Sequence, residues 1–225
     1  MKTFRYVEGL PELVSLKTEE VDGKRFYVTP SGAKLPSVTT VLGHSKKHLI
    51  KEWRERVGQD EAQKISTRAS VRGTKFHNMM EKYLQNDTAL FENVMPDMKQ
   101  AFRDVQKTVD LIDNIHYIEC PLYSESLGVA GRTDCIGEFA GVLSVIDFKT
   151  STRLKKEEWI DNYFEQGTAY ALMYEELVGK PIDQIVIIIS VDGETEPQLF
   201  IRDRKYYEES LVNKIKAYKE AHNVS

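Results

Sequence analysis

Two cysteines, Cys120 and Cys135, are all that the 225-residue chain contains, and no CxxC spacing accompanies them. That excludes a disulfide framework or a four-cysteine metal ribbon and suits a reducing compartment; both read as small core residues. Long apolar runs are missing too. The longest, Ile185-Val-Ile-Ile-Ile189, is far too short to cross a bilayer. The amino terminus, MKTFRYVEGLPEL, lacks the apolar stretch of a signal peptide and carries Glu8 and Glu12, against a mitochondrial transit peptide. A cytoplasmic protein is expected, with no membrane contact. No Walker A pattern occurs, which excludes a P-loop motor within this chain. Repeats, low-complexity tracts and Gly/Ser/Pro linkers are likewise absent. One domain over 1–225 is therefore expected, with a β-rich element at 1–43, a helical region at 44–114 and the main core at 115–225.

A net excess of positive charge is missing, at −4 overall, which taken alone disfavours a nucleic-acid partner. The average conceals an asymmetry. Between His44 and Lys75 nine Lys/Arg face four acids, a local +5 that leaves −9 for the rest. A charge run is commonly a solvated helix face; a patch this biased also attracts polyanions. Hydrophobic and charged fractions of 41% and 29% are those of an ordinary globular protein, so a sizeable core is expected.

The chain reads as a hairpin at 24–36 turning at Pro30-Ser31-Gly32, then helix from Lys46 to Leu84 with breaks near Gly58 and Gly73. Another helix runs from Pro96 to about Asn114. A two-residue period follows at 115–123, 128–139 and 142–149. A helix from Lys155 to Val178 ends at Gly179, a buried strand covers 184–191, a short one 198–201, and a last helix 203–222. This order describes an α/β fold with a central mixed sheet flanked by helices.

Two acids interrupt the apolar strands. A two-residue turn at Ala140-Gly141 sets Phe139 opposite Val142. Counting five residues outward along each strand reaches Asp134 and Asp147, which then face each other with Cβ atoms roughly 4.5–5.5 Å apart. Lys149, two residues on, shares the face of Asp147. Two carboxylates that close repel unless a cation lies between them. A hard divalent ion such as Mg²⁺ takes oxygen ligands, activates water and stabilises charge on a phosphate. Lys149 adds a compact positive charge that can position the attacking water. An Asp–Lys ion-pair ladder is the plainer alternative, but two acids and one base do not balance.

The pattern GxxD, short hairpin, IDFKTS resembles the PD-(D/E)XK nuclease superfamily in its RecB-like branch. Three further stretches lie in the matching order. Gly73-Thr-Lys-Phe-His77-Asn-Met-Met-Glu81 resembles the helix with a metal-binding histidine, and Gln166-Gly-Thr-Ala-Tyr170 matches the family's QxxxY. Leu35-Pro-Ser-Val-Thr-Thr-Val-Leu42 with Trp53 resembles the amino-terminal element of the mitochondrial genome maintenance exonucleases and their phage relatives. The similarity covers about 35–201. Four-cysteine iron–sulfur members of the branch are excluded by the cysteine count.

The resemblance implies a restriction-endonuclease-like core with a helical arch-like insertion, and a Mg²⁺- or Mn²⁺-dependent DNA exonuclease preferring single strands with free ends. It implies one or two metal ions held by His77, Asp134, Asp147 and the Phe148 carbonyl, with Lys149 assisting the water. Gln166 and Tyr170 lie beside the site and are candidates for contacting the DNA backbone or organising the site. Lys51, Trp53, Arg54, Arg68 and Arg72 of the basic segment are the expected DNA contacts, and Glu81, Thr150 and Ser151 are further candidates. Trp159, Tyr163, Met173 and Tyr174 form a stripe expected to be mostly core. An endonuclease, a duplex-resecting exonuclease and a catalytically silent DNA-binding module remain open. Protein partners, polarity and oligomeric state are not legible in the residues.

Overall fold

The computed structural model describes residues 1–222. Residues 223–225, which the expected core included, lie outside them. The alternating stretches become a meander: β4 (Ile112–Ser124), β5 (Val129–Phe139) and β6 (Val142–Ser151) are successively antiparallel, after a separate three-stranded sheet of β1 (Lys17–Val21), β2 (Lys24–Val28) and β3 (Lys34–Pro36). β7 (Gln184–Val191) runs parallel to β6, and edge strand β8 (Gln198–Asp203) is antiparallel to β7. A parallel pair needs a crossover, which includes the long helix 161–178.

Helices cover both faces, making an α/β fold with a central five-stranded mixed sheet. On one face, α1 (Val38–His44), the crossover helix α5 (Asp161–Val178) and α6 (Glu208–His222) bury Val41, Phe164, Tyr174, Ile187 and Tyr218 together. On the other, α3 (Gln59–Leu84) and α4 (Pro96–Val109) bury Phe76, Met80, Phe102, Phe148 and Ile188. Burial on both sides explains the unbroken apolar run of β7. The small sheet packs Tyr27 and Leu35 on Ala130 of β5.

The remaining helix, α2 (Lys47–Val57), buries no residue. From Gln59 to Val71, α3 buries only Ala62, whereas Phe76, Met79, Met80, Tyr83 and Leu84 seat its carboxy-terminal half. The basic segment is thus a pair of helices standing off the body, joined at Gly58 with φ +91°.

Five boundaries differ from expectation; the last helix begins at Glu208 rather than 203, after β8 and a 3₁₀ turn at 204–206. The β-rich 1–43 element ends in a helix, because the Ser37 hydroxyl caps it by accepting the Thr40 N–H at 3.0 Å. Gly73 does not break α3; a glycine there costs about 1 kcal/mol, and the packing of its second half offsets that. The helical region stops early, since β4 begins at Ile112. The helix expected from Lys155 starts at Asp161. The main chain of Lys155 is held by the Gln198 side chain in both directions, at 2.7 and 2.9 Å, and residues 157–159 form a 3₁₀ turn. No helix among the described residues is long and apolar enough to cross a membrane.

Candidate active site

The β5–β6 hairpin turns through Ala140 and Gly141 at φ +51° and +83°, the left-handed pair that a two-residue turn requires. The register follows: Phe139 pairs with Val142, and the ladder runs to Cys135 and Ile146. Asp134 and Asp147 are the next opposing positions, where the strands part. The Asp134 carboxylate takes up the gap, its Oδ2 accepting the Phe148 N–H at 2.8 Å.

A second carboxylate borders Asp134 from the other side. β4 and β5 are joined by the four-residue loop 125–128 between paired Ser124 and Val129; five residues outward on each strand stand Glu119 and Asp134. Cys120–Thr133 and Ile118–Cys135 are paired on either side of them. Glu119 has φ +47°, an unusual conformation for this residue type, and the face of the strand changes there. Ile118 packs towards α3 and α4, whereas Cys120 packs in the opposite core. Glu119, Asp134 and Asp147 therefore form a row of three carboxylates across three adjacent strands.

His77 reaches this row from α3, its Nδ1 standing 3.2 Å from Asp134 Oδ1. Ligand atoms of His77, Glu119 and Asp134 all lie within 4.8 Å of one another. Asp147, 2% exposed, is engaged by the Lys149 ammonium, which also lies 5.2 Å from the Tyr163 ring centroid. Glu81, a turn beyond His77, adds negative charge beside Glu119 and accepts a hydrogen bond from Gln85 at 3.2 Å.

Charges at the site are out of balance. Burial raises Glu119 to about 7, and repulsion from Asp134 and Glu81 adds to it despite His77 and Arg132. Burial likewise raises Asp147; Lys149 opposes that and Asp134 reinforces it. Burial also works against Asp134, but the hydrogen bond and charge of His77, with Lys149 and the Phe148 N–H, hold it below the usual carboxylate range. His77 is raised: burial opposes its charging, and the hydrogen bond and charge of Asp134 outweigh burial. The Lys149 ammonium is favoured in the same way by Asp147 and Asp134 against its burial. Crowded carboxylates, two of them with raised pKa values, are consistent with a site for a cation.

The other expected site residues fall into three groups. Gln166 donates to the Tyr170 hydroxyl at 3.2 Å, so this pair is assembled; Tyr170 is only 3% exposed and packs on Gly131, where a Cβ would come within 2.6 Å of its ring. That burial favours a supporting role in the site for Tyr170 over a direct DNA contact. Thr150 lies under Gly73, and the buried Ser151 hydroxyl donates to the Arg153 carbonyl at 2.6 Å. Lys51, Arg54 and Arg68 are exposed on α2 and α3, with Trp53 half-buried among them. Arg72 differs from these: its guanidinium pairs with Asp192 at 2.5 Å and the Ser151 carbonyl at 3.2 Å, tying α3 to the end of β6. That engagement sets it apart from the exposed Lys51, Arg54 and Arg68. Glu119 was missed altogether.

No family model matches the sequence. Two curated proteins are similar: human mitochondrial genome maintenance exonuclease 1 is 28% identical over 130 residues, 54% of this chain and 38% of that protein. The mouse protein is 26% identical over 129 residues, with the same shares of the two chains. The chain is a weak homologue of mitochondrial genome maintenance exonuclease 1. It spans well under half the length of those relatives. The crystal structure of SSO0001 superposes with a TM-score of 0.48 at 13% identity, over 83% of this chain and 75% of that one.

The donor set fits a divalent cation: hard carboxylate oxygens with one imidazole, three donors already converging. A testable consequence concerns Glu119. Raised above its ordinary 4.5, it contributes stability to the metal-free protein that is fully present below that value and is lost as pH rises through about 7. Without metal, the urea midpoint should therefore fall between pH 4.5 and 7, less steeply in Glu119→Gln. Added Mn²⁺ at pH 8 should restore it. Calorimetric titration should show Mn²⁺ binding at least about tenfold weaker in Glu119→Gln. Equal affinity in the two proteins would remove Glu119 from the metal site.

Proposed function

We propose that the chain is a metal-dependent deoxyribonuclease with a PD-(D/E)XK core, acting on free ends of single-stranded DNA. The observation that carries this reading is the row of Glu119, Asp134 and Asp147, met by His77 from α3 and by Lys149 from β6. Weak homology to proteins named exonucleases supports the same class of activity.

In this reading His77, Glu119, Asp134 and Asp147, with the Phe148 carbonyl, hold one or two Mg²⁺ or Mn²⁺ ions. A bound divalent ion supplies Lewis-acid stabilisation of the phosphate and a water of lowered pKa. The chain's own groups do the rest. Asp134 orients the His77 imidazole through the 3.2 Å contact, and the Phe148 N–H fixes Asp134 in turn. Lys149, held as an ammonium, aligns the attacking water and offsets negative charge gathering on the scissile phosphate. The Gln166–Tyr170 pair supports the wall beside Gly131.

The outstanding α2–α3 pair, with Lys51, Arg54 and Arg68 exposed and Trp53 between them, is the element proposed to guide a strand to the site. If DNA threads beneath it, an end is required. End-labelled linear single strands should be degraded, circular single strands should survive, and blunt duplex should be a poor substrate. Arg54→Glu and Arg68→Glu should weaken binding and reduce its salt dependence by a slope of about 0.7 per lost phosphate contact. Saturating DNA should partly rescue their rate. Rapid cutting of circular single strands would replace the exonuclease with an endonuclease and leave the nuclease assignment standing. Strong cutting of blunt duplex would favour a resecting enzyme.

A further inference from the structure

Trp159 belongs to an apolar stripe, yet its side chain is not in the core. Ile160 takes the buried position, at 1% exposure, and Trp159 is left 48% exposed in the 3₁₀ turn before α5. Two cations attend its ring: Arg153 Cζ is 5.9 Å and Lys156 Nζ 5.4 Å from the centroid. An exposed indole with two cations combines the two features that hold single strands without regard to sequence, a π-face for a base and positive charge for the backbone.

Its place in the fold joins it to the carboxylate row. The segment follows directly from β6, with Arg153 four residues after Lys149, so their Cα atoms are at most about 14 Å apart. Tyr163, four residues beyond Trp159, meets the Lys149 ammonium. The segment is also rigidly mounted. Ser151 holds Arg153 through its hydroxyl, Gln198 holds Lys155 in both directions, and Arg202 of β8 grips Glu157 with two nitrogens. Of the two neighbouring acids, Glu157 is thereby neutralised, and Glu158 stands 3.8 Å from Lys156 in an exposed pair of little strength.

We propose that Trp159, Arg153 and Lys156 form a subsite for one nucleotide of a single DNA strand passing the catalytic row, the base stacked on the indole and its phosphate held by the cations. The proposal rests on the nuclease reading. Trp53 and Trp159 are the only tryptophans, so Trp53→Phe makes Trp159 the sole indole reporter. That protein is titrated in EDTA with a fluorescein-labelled oligothymidylate, following indole emission and label anisotropy together.

Emission should be quenched in step with binding. Trp159→Ala should weaken binding roughly 5- to 100-fold, the range of one lost base stack; Trp159→Phe, which keeps an aromatic face and guards against a folding artefact, should lose far less. Arg153→Ala and Lys156→Ala should each flatten the salt dependence. Full affinity in Trp159→Ala with unquenched emission in its parent would overturn the subsite and leave the nuclease reading intact. Failure of the wild-type chain, titrated alongside, to bind the strand would overturn both.

Discussion

Asp134→Asn should lose cleavage by more than about 100-fold, since even the outer partners of metal ligands are worth 10- to 100-fold. The substitution keeps an oxygen that can accept the Phe148 N–H, so the β5–β6 junction should hold and circular dichroism should be unchanged. What it removes is the charge facing Glu119 and Asp147. In the metal-free protein that charge works against its neighbours, helping to raise both of them. His77, Lys149 and the Phe148 N–H favour the Asp134 charge by more than its neighbours oppose it, so the metal-free variant should melt somewhat below the wild type and gain nothing from added Mn²⁺. A structural ion-pair ladder also predicts a lower melting temperature, but with cleavage undisturbed and no stabilisation of the wild type by Mn²⁺. DNA binding should survive, because fewer acids then face the phosphates.

Lys149→Ala should slow turnover by about 10²–10⁴-fold, the usual contribution of a positioned proton-transfer or charge-stabilising group. Its effect on the metal should be of another kind. The ammonium now occupies Asp147, so its removal frees that carboxylate for a cation, and Mn²⁺ affinity should not fall. Weak catalysis with intact metal binding separates Lys149 from Asp134, Asp147 and Glu119, whose substitution should damage both. Near-normal turnover in Lys149→Ala would take this residue out of the mechanism.

Legibility in the sequence followed the strength of local constraint. The Asp134–Asp147 opposition was readable because Ala140-Gly141 allows a two-residue turn, and that turn fixes every later pair. His77 was readable only through resemblance; nothing local says that α3 passes the strand ends. Glu119 was hidden because the loop 125–128 has no two-residue signature, so the β4–β5 register was open, and its φ of +47° breaks the alternation that would have flagged it. Trp159 misled for the opposite reason. Helical spacing placed it in the stripe with Met173 and Tyr174, whereas the grip of Gln198 on Lys155 ends that periodicity before α5 begins. Arg72 could not be told from Arg68 by charge; its partner Asp192 is 120 residues away. Tertiary contacts between distant segments decided His77, Trp159 and Arg72; the local backbone decided Asp147 and Glu119.

If the carboxylate row works through a divalent cation, digestion of an end-labelled linear single strand by the wild-type chain must depend on it, and the comparison is of Mg²⁺, Mn²⁺ and EDTA, with metal then restored to the chelated sample. Cleavage should occur with either ion, cease in EDTA and recover on restoration. Cleavage in EDTA at an undiminished rate would contradict that dependence.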